Sequence, residues 1–168
     1  PRAMYGIGCF IAFQGIFAST ETSKGYGSKI LCLMLGWAFF VFAFTYGNAL
    51  NVQAEYTDFR NTEVIDDLAL CSELEGGEEV TLQITGSIGY APAVESMITD
   101  FPMIERLIPV TLKGDGWWGE FGLRYYYDLP KFQFADTYDP PEGDFTMVAE
   151  NYYHTIWEKE NYIWIDLH

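Results

Sequence analysis

Aromatic rings, carboxylates and a guanidinium are concentrated between residues 113 and 127. This stretch, Lys-Gly-Asp-Gly-Trp-Trp-Gly-Glu-Phe-Gly-Leu-Arg-Tyr-Tyr-Tyr, contains four glycines, a tryptophan pair and a tyrosine triplet. Tryptophan and tyrosine rings combine an apolar face with a polar tip, which suits stacking on the C–H surface of a sugar. Carboxylates and an arginine nearby can bond the sugar hydroxyls. The sequence therefore predicts glycan-binding candidates here: Asp115, Trp117, Trp118, Glu120, Arg124 and Tyr125.

The same composition fits two other environments. Tryptophan and tyrosine are enriched at headgroup depth in membrane proteins, so the stretch could contact a membrane interface or the rest of a larger parent protein. It could also form an ordinary aromatic core beside a glycine-rich turn. The residue types alone leave all three interpretations open.

Other chemistry has little support in the sequence. The chain has no Walker phosphate-binding loop, no zinc-protease helix motif, no Cys-x-x-Cys pair and no nucleophile elbow. Its histidines are His154 and His168, and we expect His154 to be an ordinary strand residue. A group of carboxylates fits no EF-hand spacing and is more typical of a solvated loop than of a Ca²⁺ site: Asp136, Asp139, Glu142 and Asp144. We expect no cofactor and no metal site.

The charges divide the 168 residues into two unlike parts. Residues 1–50 hold three basic side chains and one acidic side chain, whereas residues 51–168, the acidic part, hold 6 basic and 23 acidic ones. A surface this negative repels polyanions, which excludes duplex nucleic acid as a default partner. The high apolar and aromatic content excludes intrinsic disorder. The chain starts at Pro1 in apolar sequence, and we expect it to be a piece of a longer protein.

Two uncharged stretches predict membrane spans. Residues 30–54 carry no charge, and the apolar run from Ile30 to Leu50 is roughly 31 Å long as a helix, about the thickness of the hydrocarbon layer. Residues 3–20 form a second, shorter candidate. The rival interpretation of the run from Ile30 to Leu50 is a buried helix of a soluble protein. The rival interpretation of residues 3–20 is a cleaved signal peptide. Lys24 and Lys29 in the short connector favour a cytoplasmic connector, which sends the acidic part to the outside or the periplasm.

The acidic part has the pattern of a helix followed by an α/β domain. Apolar residues at helical spacing continue past Leu50, so we expect the second span to run on as one helix, or as a helix bent near Gly47, until Gly76-Gly77. Strict alternation predicts a strand at 79–85, Pro92 begins a predicted helix, and 110–112 looks like a second strand, which together make a βαβ unit. Residues 152–157 and 162–167 predict a C-terminal hairpin.

The predicted fold class is membrane α-helical, with two C-terminal transmembrane helices plus a small α/β extracytoplasmic domain. The predicted domains are 1–50, two transmembrane helices with a short basic loop; 51–75, the helix extending from the second span; and 76–168, the extracytoplasmic α/β domain.

Several short motifs resemble those of a known family. Residues 46–50 read Tyr-Gly-Asn-Ala-Leu, then Gln53 and Glu55-Tyr56 follow on the same helix, and Asp66-Asp67-Leu68 comes later. Together with residues 102–109, Pro-Met-Ile-Glu-Arg-Leu-Ile-Pro, and the tyrosine-rich end, this pattern resembles the C-terminal part of the bacterial O-antigen glucosyltransferases of the serotype-converting (Gtr) membrane family. The resemblance covers most of residues 30–168.

The resemblance implies a multi-span membrane glycosyltransferase that moves glucose from a polyprenyl-phosphate donor to lipopolysaccharide O-antigen. The chain would then lie in the bacterial inner membrane with its C-terminal domain in the periplasm, as an accessory or acceptor-binding part. The family's catalytic carboxylate usually lies in an early loop that this chain does not include, so the catalytic residues stay unknown. The alternative is a non-enzymatic two-span membrane protein whose acidic outer domain binds a protein partner.

Overall fold

The structure, a computed structural model, describes residues 12–13, 15–16, 26–71, 79–114, 119, 121–124, 132–135, 137 and 139–168. The helices and strands whose bounds are described are α1 Tyr26–Leu68, β1 Val80–Gly86, α2 Pro92–Asp100, β2 Phe132–Phe134, β3 Thr146–Glu150, β4 His154–Lys159 and β5 Tyr162–Leu167. Residues 12–13, 15–16, 119 and 121–124 are also helical.

Helix α1 is one continuous rod of 43 residues, roughly 64 Å long, because no proline interrupts it. Its first half is apolar on every side and bare: Leu33 is 74% exposed and Trp37 is 67% exposed. Its second half is amphipathic and packs on the sheet. Within the described residues, one helix is long and apolar enough to cross a membrane, Lys29–Leu68.

The predicted fold class is therefore wrong. Instead of two C-terminal transmembrane helices and a small separate domain, the described residues contain one long apolar helix near the N-terminus and a five-stranded mixed sheet. An uncharged run shows that a segment is apolar, but it does not show that the segment forms a helix of membrane length. Of the first predicted span, residues 12, 13, 15 and 16 are helical, and its other residues lie outside the described part.

The strand order in the sheet is β2-β1-β5-β4-β3. β1 lies parallel to both β2 and β5, whereas β4 is antiparallel to both β3 and β5. β4 and β5 form the C-terminal hairpin that the sequence predicts, with a turn at Glu160-Asn161 in which Glu160 has a positive φ of 49°. The turn thus has two residues, whereas the predicted strands left four residues, 158–161, between them.

The predicted βαβ unit is also wrong. Residues 110–112 form no strand, and their neighbour Lys113 makes a single antiparallel bridge to Ser87. The parallel neighbours of β1 are instead β2 and β5, which lie much later in the chain. Only three alternating residues follow Pro109, so they would pair with β1 over a shorter length than β5 does, which pairs with six of its residues.

The main core fills the space between α1 and one face of the sheet. Val64 and Leu68 of α1 pack against alternate residues of the central strands: Val80, Leu82, Ile84, Ile163, Ile165 and Leu167. The alternation places these side chains on the same face, so the second half of α1 becomes a fixed part of the sheet structure.

Arg60 joins α1 to the far end of the sheet. Its side chain is only 1% exposed and donates hydrogen bonds from Nη2 to the backbone carbonyls of Tyr153 and His168. Nη1 donates to the Tyr56 hydroxyl at 2.8 Å, and the guanidinium carbon lies 4.6 Å from the Tyr153 ring centroid. A buried charge is stable only when hydrogen bonds replace its water, and these carbonyls and rings do so.

We predict that Arg60→Ala lowers the free energy of unfolding by about 2–4 kcal/mol, because two partly buried carbonyls lose a charged donor and the buried Arg60 side chain leaves a cavity. The measurement is thermal unfolding of the full chain in detergent micelles, followed by near-ultraviolet circular dichroism. Arg106→Ala is the matched control, since Arg106 is exposed. Equal stability of the two variants would contradict this role for Arg60.

Candidate functional site

A cleft lies between α1 and the segment 109–122. Its volume is about 700 Å³. Leu50, Ala54, Pro109 and Phe121 give it apolar walls, and the polar groups that line it include Asp58 and Asn61. The α1 residues recur at spacings of three and four, so they occupy one stripe of the helix. This cleft is the candidate functional site.

The wall opposite α1 is fixed to the end of β1. Ile88 N–H donates to the carbonyl of Leu112 at 3.2 Å, and Gly114 N–H donates to the carbonyl of Gly86 at 2.8 Å. Gly114 lies so close to the backbone of Ile84 and Thr85 that a β-carbon would clash with both. Glycine is therefore required there, and the cleft wall approaches the sheet as closely as backbone atoms allow.

Gln53 positions the chain that leads out of β1. Its side-chain amide donates to the carbonyl of Gly89 at 3.1 Å and accepts from Ala91 N–H at 2.9 Å. Thr57, on the same stripe, donates its hydroxyl to the Gln53 carbonyl at 2.8 Å. These two polar side chains are engaged within the fold, which leaves Asp58, Asn61 and Thr111 as the other cleft residues with polar side chains.

Asn61 carries the most informative polar atom of the cleft. The residue is 5% exposed, and its Oδ1 has no hydrogen-bond partner in the part of the chain that the structure describes. A buried acceptor without a partner costs about 1–3 kcal/mol. The atom is closed to solvent, so a ligand hydroxyl or amine in the cleft would satisfy it only after the Asn61 side chain turns toward the cleft.

Asp58 lies one helical turn before Asn61 and is exposed. No hydrogen bond or ion pair engages its carboxylate within the described ranges. Asp58 and Asn61 thus offer acceptors beside an apolar wall. This arrangement can bind a molecule with several hydroxyl groups or an amine, and it disfavours an anion.

The predicted glycan-binding residues are only partly described. Asp115, Trp117, Trp118, Glu120 and Tyr125 lie outside the described residues. Arg124 is described and exposed, but it donates from Nη2 to the Phe132 carbonyl at 2.9 Å and lies 5.5 Å from the Phe134 ring centroid. Its observed contacts are therefore with β2. The neighbours Phe121 and Gly122, from the same predicted stretch, do line the cleft.

Sequence reasoning missed Asn61 and Asp58. The signal was available: a polar residue at position 61 falls on the buried side of an amphipathic helix, where an apolar side chain is usual. What the sequence could not supply was the opposite wall, which comes from residues about 50 positions later in the chain.

A second polar cluster lies at the end of α1. Asp67 Oδ2 is 3.0 Å from His154 Nε2 and accepts a hydrogen bond from Asn151 Nδ2 at 2.8 Å. His154 is on β4, as predicted, and is fully buried, with Nδ1 lacking a partner among the described residues. Burial lowers the pKa of His154 below its usual value of 6.5, although the Asp67 hydrogen bond opposes this shift. Because the ring is closed to solvent, the cluster serves as a structural contact.

Cys71 does not add a nucleophile to that cluster. Its side chain is buried, and burial, together with the Glu158 and Asp67 carboxylates, raises the pKa of its thiol to about 12. The reactive thiolate is therefore scarce at neutral pH. No group of three or more His, Cys, Asp or Glu side chains with metal-binding geometry occurs among the residues described.

A scan against known protein families, a search of curated proteins and a search of solved structures each found no match to this chain. The resemblance to O-antigen glucosyltransferases therefore stays a prediction that depends on the quoted motifs alone.

We predict that the fold loses stability as the pH falls from about 7 to 5, because His154 has a lowered pKa in the folded state. The unfolded chain then takes up a proton near pH 6.5, before the folded chain does, and protonation shifts the equilibrium toward unfolding. The measurement is the thermal unfolding midpoint against pH. In His154→Gln, which does not titrate, the loss over this range should be smaller, and an unchanged slope would contradict the assignment.

Proposed function

We propose that this chain is a single-span, membrane-anchored binding protein. The first half of α1 crosses the bilayer, and the cleft on its second half binds a hydroxyl-rich ligand, a glycan, at the membrane surface. The observation that carries the proposal is the continuity of α1, which joins a bare apolar rod to the helix face that carries Asp58 and Asn61.

The exposure of the first half of α1 supports a bilayer location. A soluble protein rarely exposes a contiguous apolar surface of more than a few hundred Å². Here most of the large side chains from Ile30 to Phe44 are exposed, and none of the most apolar stretch of the helix is buried. Lipid would cover this surface, and the helix satisfies its own backbone hydrogen bonds, as a span requires.

The proposed orientation follows from the charges. Lys24 and Lys29 precede the span, and short basic segments stay on the cytoplasmic side. The acidic part would then lie on the opposite side, which is the periplasm if the membrane is a bacterial inner membrane.

The chemistry of the cleft supports a sugar as ligand. A sugar ring offers hydroxyl donors to Asp58 and Asn61 and an apolar C–H face to Phe121. The predicted aromatic stretch 113–127 supplies one wall of the cleft through Phe121 and Gly122. The glucosyltransferase function and the protein-partner alternative remain predictions; in the first, the same cleft would hold acceptor glycan for a catalytic region elsewhere.

We predict that Leu35→Asp removes the chain from the membrane fraction, because an aspartate at mid-span costs about 2.5–3.5 kcal/mol of insertion free energy. The measurement is the fraction of protein that resists alkaline carbonate extraction. Leu70→Asp is the matched control, since Leu70 is similarly exposed, at 64% against 54% for Leu35, but lies beyond the proposed span. Wild-type chain recovered in the soluble fraction would refute the anchor.

We predict that Asp58→Asn and Asn61→Leu each weaken glycan binding by roughly ten-fold or more, because each removes an acceptor worth about 1.5 kcal/mol or more. The assay is binding of the full chain in lipid nanodiscs to an immobilised glycan panel. Asp66→Asn is the matched control for charge, since Asp66 is an exposed α1 residue outside the cleft.

Asn61→Leu also separates binding from stability. It removes a buried acceptor that has no partner, so the unliganded protein should be as stable as the wild type or more stable. Weaker binding with retained stability supports the cleft. If nanodiscs with the wild-type protein bind the immobilised glycans no better than empty nanodiscs do, the assignment of a glycan ligand is wrong.

A further inference from the structure

The geometry points to a second membrane contact: we propose that α2 and the turn 101–108, together the α2 hairpin, dip into the lipid headgroup layer beside α1. The inference rests on the proposed span, since it takes the bilayer around α1 as its reference. Its partner is the lipid surface itself.

Three contacts give the position of the α2 hairpin along α1. Its start lies at the level of Gln53, whose side chain bonds Gly89 and Ala91. Its returning arm lies lower, because the Tyr46 hydroxyl is 3.5 Å from the Leu107 carbonyl. Pro109 then lines the cleft with Leu50 and Ala54. The chain therefore descends along α1 toward the apolar half, turns and comes back.

The tip of the hairpin lies at least as low as Tyr46. Helix α2 has nine residues and spans roughly 13 Å, whereas Gln53 and Tyr46 are separated by roughly 10 Å along α1. Phe42, one turn below Tyr46, also packs against the buried cluster that contains Ile104 and Ile108. The tip, residues 101–103, is thus the part of the α2 hairpin nearest to the proposed span.

The tip has the chemistry of a membrane-interface contact. Met103 is 69% exposed and Phe101 is 39% exposed, although the other side of the hairpin is well packed on α1. Asp100, Glu105 and Arg106 flank the tip and are exposed. Apolar side chains enter the boundary between headgroups and acyl chains, and charged neighbours stay among the headgroups.

These charges also place the bilayer boundary. Asp100 and Glu105 cannot lie bare in hydrocarbon, so the hydrocarbon edge falls near Tyr46 and not near Leu50. The remaining span, from Lys29 to Tyr46, has 18 residues and is roughly 27 Å long, which still crosses a bilayer. Phe42 and Tyr46 would then face the hairpin within the interface.

The test uses single spin labels on the full chain in nanodiscs, at Met103→Cys, Leu35→Cys and Tyr152→Cys. Accessibility to oxygen, which concentrates in lipid, and to a water-soluble nickel chelate gives the depth of each label. Leu35 reports the span, and Tyr152, which is 86% exposed on the acidic part, reports water.

Cys9 and Cys32 are replaced by Ser in all three variants. Cys71 is retained because it is buried and its thiol pKa is raised to about 12, so it will not take the label.

The proposal expects lipid-like values at Leu35, water-like values at Tyr152 and intermediate values at Met103, with Met103 closer to Leu35 in oxygen accessibility. Water-like values at Met103 together with a lipid-like Leu35 would overturn the interface contact and leave the span intact. Low accessibility of Met103 to both reagents would also overturn it, because that result indicates a protein contact. A water-like Leu35 would instead refute the span itself.

Discussion

The packing of the second half of α1 on the sheet decides where every other feature of this protein lies. Val64 and Leu68 enter the core, and Arg60 reaches the carbonyls at the far end of β4 and β5. Because α1 is a continuous helix and each residue turns it by about 100°, this contact also fixes which side of α1 meets α2 and which side faces the cleft. The rotation of α1 about its own axis, set by its packing on the sheet, therefore determines where the cleft and the α2 hairpin lie.

Two side-chain amides on α1 show how the same chemical group can serve structure or binding. Gln53 satisfies both its oxygen and its nitrogen on the backbone of residues 89 and 91, so it stabilises the turn before α2. Asn61, eight residues further on, is equally buried but leaves Oδ1 without a partner among the described residues. A fold that needed only stability would place an apolar residue there. The unpartnered acceptor is one of the observations behind the proposed glycan contact.

The sequence predicted the features that depend on local pattern. The continuous helix through the apolar run, the first strand, the start of a helix at Pro92 and the C-terminal hairpin all follow from periodicity and turn residues. It failed where partners are distant: β1 pairs with β5 about 80 residues later, and β2 is only three residues long, so neither pairing has a local signal. The cleft was missed for the same reason, since its two walls come from residues 50–61 and 109–122.

The strongly negative charge of the acidic part limits what can hold it at a membrane and what can enter its cleft. Anionic lipid repels a surface with 23 acidic and 6 basic residues, although salt screens that repulsion beyond about 8–10 Å. Any close contact between the acidic part and lipid must therefore be apolar and short-ranged, as proposed for Phe101 and Met103. The α1 helix would tether the acidic part to the membrane. In the proposed site, Asp58 imposes a similar limit on ligands, because its carboxylate can accept from hydroxyls and repels phosphate. If the natural ligand is a sugar linked to a lipid through phosphate, the cleft would therefore hold the sugar and leave the phosphate to the headgroup layer.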